Sequence, residues 1–168
     1  MIQPGKIKFV KGDLIKLAID GHFDLIVHGC NCFCTQRSGL APQMAKHFDT
    51  ANPVYYPGEN PSSAGFIGKL GNIEYRVSSK WSGAPLIIVN AYTQYWNSRN
   101  MPASMSIPLD YEALTLCLRK INRLFTGKRI GLPKIGAGRA RGDWHRILKI
   151  ITTELTNSEV TIVEYDEP

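Results

Sequence analysis

Phe23-Asp-Leu-Ile-Val-His28, Gly29-Cys-Asn-Cys-Phe-Cys-Thr-Gln-Arg-Ser38 and Gly39-Leu-Ala-Pro-Gln-Met-Ala-Lys-His-Phe48 follow one another without interruption, and their order decides the fold. The first is short with an apolar centre, the pattern of a strand buried on both faces. The second is small and polar and reads as a loop. The third reads as a helix, with Pro42 in its first turn, where a missing N–H is tolerated. Strand, loop and helix in that order open a β–α unit.

Working outward, residues 6–10 read as a short strand, Gly12-Asp13 as a turn, and the residues after it as a short helical segment. Downstream, 52–65 is rich in Pro, Gly, Asn and Ser and reads as loop. Residues 69–77 look like a strand, and Pro85-Leu-Ile-Ile-Val-Asn90 is a second continuously apolar one. Residues 93–108 read as irregular. The apolar positions across 109–125 mark an amphipathic helix. Residues 129–133 then form a strand, 134–142 a glycine-rich loop, and 143–155 a helix with Asp143 as its N-cap. A last strand covers 160–165. Strands alternating with helices predict an α/β fold with a largely parallel, mixed sheet between helical layers. Such sheets bind ligands at the carboxyl ends of their strands.

The chain has 168 residues, 43% hydrophobic and 20% charged, which suits one globular domain spanning 1–168. No apolar run approaches the roughly 20 residues that span a bilayer, and Met1 to Val10 lacks a secretory h-region. A cytoplasmic location, no membrane partner and a monomer are expected. The formal charge of +6 favours anionic partners without choosing among phosphates, nucleotides and nucleic acid. Cys30, Cys32 and Cys34 are too clustered for a disulfide framework, and with Cys117 they read as free thiols. His28 and His47 lie near them, but C-x-C-x-C is not a zinc-knuckle spacing and no second ligand pair follows. No metal and no cofactor are expected.

Two segments, 29–39 and 134–143, follow strands, carry glycines and lead into helices. Glycine lets a backbone approach a ligand closely, and a helix N-terminus adds unpaired N–H donors and partial positive charge. Two such loops side by side would grip a diphosphate without metal; either alone reads equally as a tight turn. The G-x4-G-K-[ST] fingerprint is absent, and Gly136, Gly138 and Gly142 are wrongly spaced for G-x-G-x-x-G, which excludes a P-loop NTPase or simple dinucleotide dehydrogenase.

Gly12-Asp13-Leu14, Ile26-Val-His-Gly-Cys-Asn31 and Ser38-Gly-Leu-Ala41 resemble the opening of a macrodomain. Leu132-Pro-Lys-Ile-Gly-Ala-Gly138, Gly142-Asp-Trp144 and Val160-Thr-Ile-Val-Glu-Tyr165 resemble its second half. The likeness covers essentially the whole chain and is nearest to the branch of ADP-ribose 1''-phosphate phosphatases with His-x-Cys-Asn-Cys after the second strand. It implies a three-layer α/β/α sandwich and ADP-ribose, or a phosphorylated derivative, as ligand. In that pattern Asp13 accepts from the adenine amino group and the Leu14 backbone meets the ring. Asn31 binds the distal ribose. Ser38, Gly39, Leu40 and Ala41 line one side of the diphosphate. Ile135, Gly136, Ala137, Gly138, Arg139 and Ala140 close over the other. Spacing alone makes Asp13 a helix cap and Asn31 a turn residue just as readily. Tyr92, Trp144 and Tyr165 are each candidates to stack on the base.

The resemblance makes His28 a catalytic candidate, since an imidazole exchanges protons near neutral pH; by itself it reads as a buried histidine bonded to a backbone carbonyl. Asn31 and Asp143 join it as candidates, Asp143 to orient water or simply to cap. Backbone N–H groups with Arg37, Arg139 and Arg141 would stabilise charge on a phosphate. The chain departs from the wider family in Arg37-Ser38 before Gly39, where many members have glycines, and in the basic run Gly138-Arg-Ala-Arg-Gly142. It has Thr93-Gln94 and Ala140 where related enzymes that remove ADP-ribose from glutamate or DNA carry a lysine and an aspartate. The leading expectation is therefore a metal-independent phosphatase that releases phosphate from ADP-ribose 1''-phosphate. The alternatives are a non-catalytic ADP-ribose-binding module and an ADP-ribosyl hydrolase acting on protein or DNA; nucleic acid is not the expected partner.

Overall fold

The computed structural model describes residues 6–35, 40–48, 65–78, 85–97 and 99–165. They build six strands and four α-helices. In chain order these are β1 (Ile7–Gly12), α1 (Leu14–Ile19), β2 (Leu25–Asn31), α2 (Ala41–His47), β3 (Ile73–Ser78), β4 (Leu86–Gln94), α3 (Tyr111–Leu124), β5 (Arg129–Leu132), α4 (Trp144–Glu154) and β6 (Glu159–Tyr165). The sheet order is β1-β6-β5-β2-β4-β3. All neighbours run parallel except β3, which is antiparallel to β4.

Side-chain alternation along β2 divides the core between two layers. Leu25 and Val27 point to the face covered by α3 and α4, where Leu114, Leu118, Ile147 and Ile151 are buried. Ile26 points to the opposite face, with Met44 of α2 and Leu14 and Ala18 of α1. The result is a three-layer α/β/α sandwich, as the sequence predicts. Asp13, Asp110 and Asp143 each cap the helix that follows, accepting from main-chain N–H groups one turn in, which satisfies donors that have no partner inside the helix.

Two strands run further than their apolar centres suggest. Gly29-Cys-Asn31 extends β2 and Ala91-Tyr-Thr-Gln94 extends β4, so these residues are ladder rather than loop. Conversely, Lys69, expected to open a strand over 69–77, closes a 3-10 turn (Ile67–Lys69), and the strand begins only at Ile73. The start of β2 is pinned to β5 by Asp24, whose carboxylate accepts from the Arg129 main-chain N–H at 2.8 Å and from its guanidinium at 3.0 Å. Partial burial acts to raise this carboxyl, but the Arg129 hydrogen bonds outweigh it and hold it below its ordinary value. This clamp sits at the amino ends of β2 and β5 and fixes how their carboxyl ends align. Among the described residues no helix is long and apolar enough to cross a membrane.

Candidate functional site

Because β2 and β5 are parallel neighbours, with Leu25 opposite Ile130 and Ile26 opposite Gly131, the loops leaving their carboxyl ends emerge side by side. Between them lies a cavity of about 190 Å³, reached by Gly29 and Asn31 at the end of β2, Thr35 and Leu40 of the loop that follows it, and Ile135, Gly136 and Arg139 of the loop after β5. A second hollow, about 700 Å³, opens toward β1 and α1 and is lined by Asp13, Leu14, Ala137, Val163 and Tyr165. Leu40, Pro133, Lys134 and Gly138 border both, so the two hollows are the ends of one cleft.

The β5–α4 loop is shaped by its glycines. Gly136 adopts φ +77, a region L side chains avoid. Gly142 donates to the Gly136 carbonyl at 2.7 Å, and a Cβ there would meet Leu109 Cδ2 at 2.3 Å and the Gly136 oxygen at 2.7 Å. Turn bonds consume the N–H groups of Ile135, Ala137, Arg141 and Gly142. The N–H groups of Gly136, Gly138, Arg139 and Ala140 make no hydrogen bond among the described residues, and all four residues border the cleft. Successive unpaired amides on a turning backbone make an anion-binding concavity. The Ala140 carbonyl, by contrast, is anchored by Leu109 N–H at 3.2 Å.

Across the cleft, Asn31 organises its own loop. Its amide donates to the Thr35 carbonyl at 2.9 Å and hydroxyl at 3.0 Å, and its carbonyl accepts from Phe33 N–H at 3.0 Å. Thus Asn31 lines the cleft and is also the turn residue its spacing allows. Ser38 and Gly39, with Arg37, lie outside the described residues. Asp13 borders the wider hollow while one oxygen caps α1, accepting from Ile15 N–H at 2.9 Å. Asp143 borders neither hollow; its carboxylate accepts from His145 N–H at 3.0 Å, so the capping reading accounts for it and its catalytic assignment gains no geometry.

His28 borders the narrow end but is only 1% exposed. Its Nε2 lies 2.6 Å from Asn90 Oδ1. Since a carboxamide oxygen only accepts, Nε2 carries the proton and donates. Nδ1 is left as an acceptor, buried and without a partner among the described residues. The predicted backbone-carbonyl partner is replaced by a side chain from the neighbouring strand. Burial drives the His28 pKa down to about 4, against a smaller upward pull from Asn90, so the ring is neutral at pH 7 and has no imidazolium proton to give. The thiols are no better placed for nucleophilic attack: burial pushes Cys30 up and Cys117 up to about 12, which keeps them protonated. Among the described residues no three His, Cys, Asp or Glu side chains are grouped to hold a metal.

Tertiary structure also separates the aromatic candidates. Tyr92 is fully buried and its hydroxyl donates to Glu74. Trp144 carries Lys134 Nζ 5.2 Å from its ring centroid and borders neither hollow. Tyr165, 65% exposed, lines the wider hollow opposite Asp13 and Leu14. Sequence reasoning missed Lys134, which borders both hollows, and did not place Thr93, Gln94 and Asn97 at the narrow end. The apolar run that marks β4 stops at Val89, so nothing local signals that its polar continuation reaches the cleft.

No protein-family model matches the chain. It is 32% identical over 165 residues to the uncharacterised 17.5 kDa protein of the tk-vs intergenic region of Enterobacteria phage T4, covering 95% of this chain and 97% of that one. Among solved structures it resembles the macrodomain of Thermus aquaticus DarG, at TM-score 0.60 and 20% identity over 97% of this chain and 99% of the other. It also resembles the Trypanosoma brucei macrodomain in complex with ADP-ribose, at TM-score 0.58 and 14% identity over 98% and 69%.

Proposed function

We propose that this chain, which belongs to the family of the 17.5 kDa tk-vs protein of phage T4 and has the macrodomain fold, binds ADP-ribose along its cleft and releases phosphate from ADP-ribose 1''-phosphate. The observation that carries this reading is the convergence of the β2–α2 and β5–α4 loops on one cleft, bordered by four residues from Gly136 to Ala140 whose amides have no partner among the described residues. The cleft's two hollows match the two ends of such a ligand, and the macrodomain neighbour from Trypanosoma brucei is itself a complex with ADP-ribose.

In this reading adenine enters the wider hollow. It lies against Tyr165, and the Asp13 oxygen left over from capping accepts from its exocyclic amine. The diphosphate sits on the amides of Gly136, Gly138 and Arg139, opposite Leu40 and Ala41. The distal ribose lies near Asn31 and carries its phosphate toward Arg139, whose cation offsets charge on the non-bridging oxygens. His28 acts only as a base, and only once a shift of its ring opens the buried Nδ1 to the cleft: Nδ1 then takes a proton from water as the water oxygen bonds to phosphorus, the bond to the 1'' oxygen breaks, and that oxygen takes its proton from solvent.

Burial of His28 favours a second reading, in which the cleft binds ADP-ribose without turnover. Phosphate release from ADP-ribose 1''-phosphate separates the two. The first reading expects turnover by the wild type and a loss of at least 100-fold in His28→Ala, in line with the typical worth of a general base. Full activity in His28→Ala would remove His28 from the mechanism, and tight ADP-ribose binding without any turnover would leave the binding module.

A further inference from the structure

A third hollow, about 210 Å³, lies on the other side of the sheet edge, between β1 and the start of α4. Its walls are Phe9 and Val10 of the edge strand, Trp144 at the start of α4, and Ile162 of β6. Phe9 is 59% exposed and Val10 38%, two large apolar side chains side by side between Lys8 and Lys11 on the edge strand. The rim is ionic. Lys11 and Lys134 border it, with Glu164 beside them, and Lys134 is held over the Trp144 ring. Lys134 and Glu164 also border the wider hollow of the cleft, so the two spaces meet at these side chains.

We infer that this hollow is a second nucleotide subsite, which takes a base linked through phosphate to the adenosine held in the main cleft. The inference rests on the adenosine placement proposed above. Flat apolar walls suit a base, whose faces stack on aromatic and apolar side chains whatever its identity. A phosphodiester joining the two nucleosides would cross the ridge at Lys134 and Lys11, where two cations oppose one carboxylate. A chain of formal charge +6 adds a field that favours such anions. Glu164 is the group that tempers it, and its carboxylate is an acceptor for a base amino group. The ligand class is therefore an oligonucleotide-like molecule whose adenosine is not its last unit on that side.

The test compares binding of ADP-ribose, 5'-AMP and 5'-phosphorylated tri-adenylate to the full chain, read by calorimetry and by quenching of tryptophan fluorescence. Tri-adenylate is expected to bind at least 10-fold more tightly than 5'-AMP. Phe9→Ala and Lys11→Ala, both at exposed positions, are expected to erase that gain while leaving ADP-ribose affinity within 2-fold. Trp144→Phe is expected to remove the ligand-dependent quenching that tri-adenylate causes beyond 5'-AMP. Equal affinities for tri-adenylate and 5'-AMP, or a gain that survives in both Phe9→Ala and Lys11→Ala, would overturn the inference. Failure of ADP-ribose alone to bind would instead overturn the function proposed for the cleft, so the two failures are distinct.

Discussion

His28 shows how much one side chain's neighbourhood decides. Its position at the end of an apolar strand and its type suggest a proton-transfer group, but burial holds the ring neutral against a smaller upward pull from Asn90, whose oxygen keeps the single proton on Nε2. That state has a consequence for stability. The unfolded chain protonates His28 near its ordinary value, and the folded chain only near 4. Between these values the unfolded state binds more protons, so stability is complete above about pH 6.5 and falls as pH drops to about 4. At 1.36 kcal/mol per unit, the loss approaches roughly 3 kcal/mol. Urea unfolding at pH 7 and pH 4.5 should show this loss in the wild type and a smaller one in His28→Leu. An equal loss in both proteins would mean that His28 is not the group responsible. Asp13 and Asn31 carry a different lesson: each satisfies its local structural reading and still borders the cleft, so capping or turn formation does not preclude contact with a ligand.

At the scale of elements, the β5–α4 loop is where geometry is most tightly constrained. Gly142 has no room for a side chain, because Leu109 from the segment before α3 and the Gly136 carbonyl already fill it. Gly142→Ala should cost about 1–3 kcal/mol, the usual range for overpacking, measured by thermal or urea denaturation. It should also weaken ADP-ribose binding more than the loss of folded protein explains, since the loop must shift to relieve the contact with the Gly136 oxygen. A variant as stable as the wild type would mean that Leu109 yields freely. Helix α4 was legible down to its cap at Asp143, because a cap and the turn it serves are neighbours in the chain. Strands β2 and β4 were legible only as far as their apolar centres. Their last residues, Asn31 and Gln94, face the cleft rather than the core, and the hydrophobic pattern that reveals a strand stops where its core contacts stop.

For the whole molecule, binding across a cleft shared by loops from separate parts of the chain should stabilise the fold. ADP-ribose at about 100 times its dissociation constant should add about 2.7 kcal/mol. For a domain of this size that raises the melting temperature by roughly 5–10 °C. A saturating ligand that leaves the melting temperature unchanged would contradict binding at this cleft. The sequence by itself determined most element types, the α/β class and the glycine loop after β5. These follow from side-chain periodicity, proline and glycine placement and helix caps, all set by residues close together in the chain. Only the tertiary structure decided that the loops face each other, that Lys134 stands between the hollows, and that Tyr165 rather than Tyr92 or Trp144 faces the ligand space. Those facts depend on pairing β2 with β5, elements whose anchoring residues Asp24 and Arg129 lie 105 positions apart. No local pattern encodes that adjacency; it arises when burying both faces of one sheet brings distant strands together.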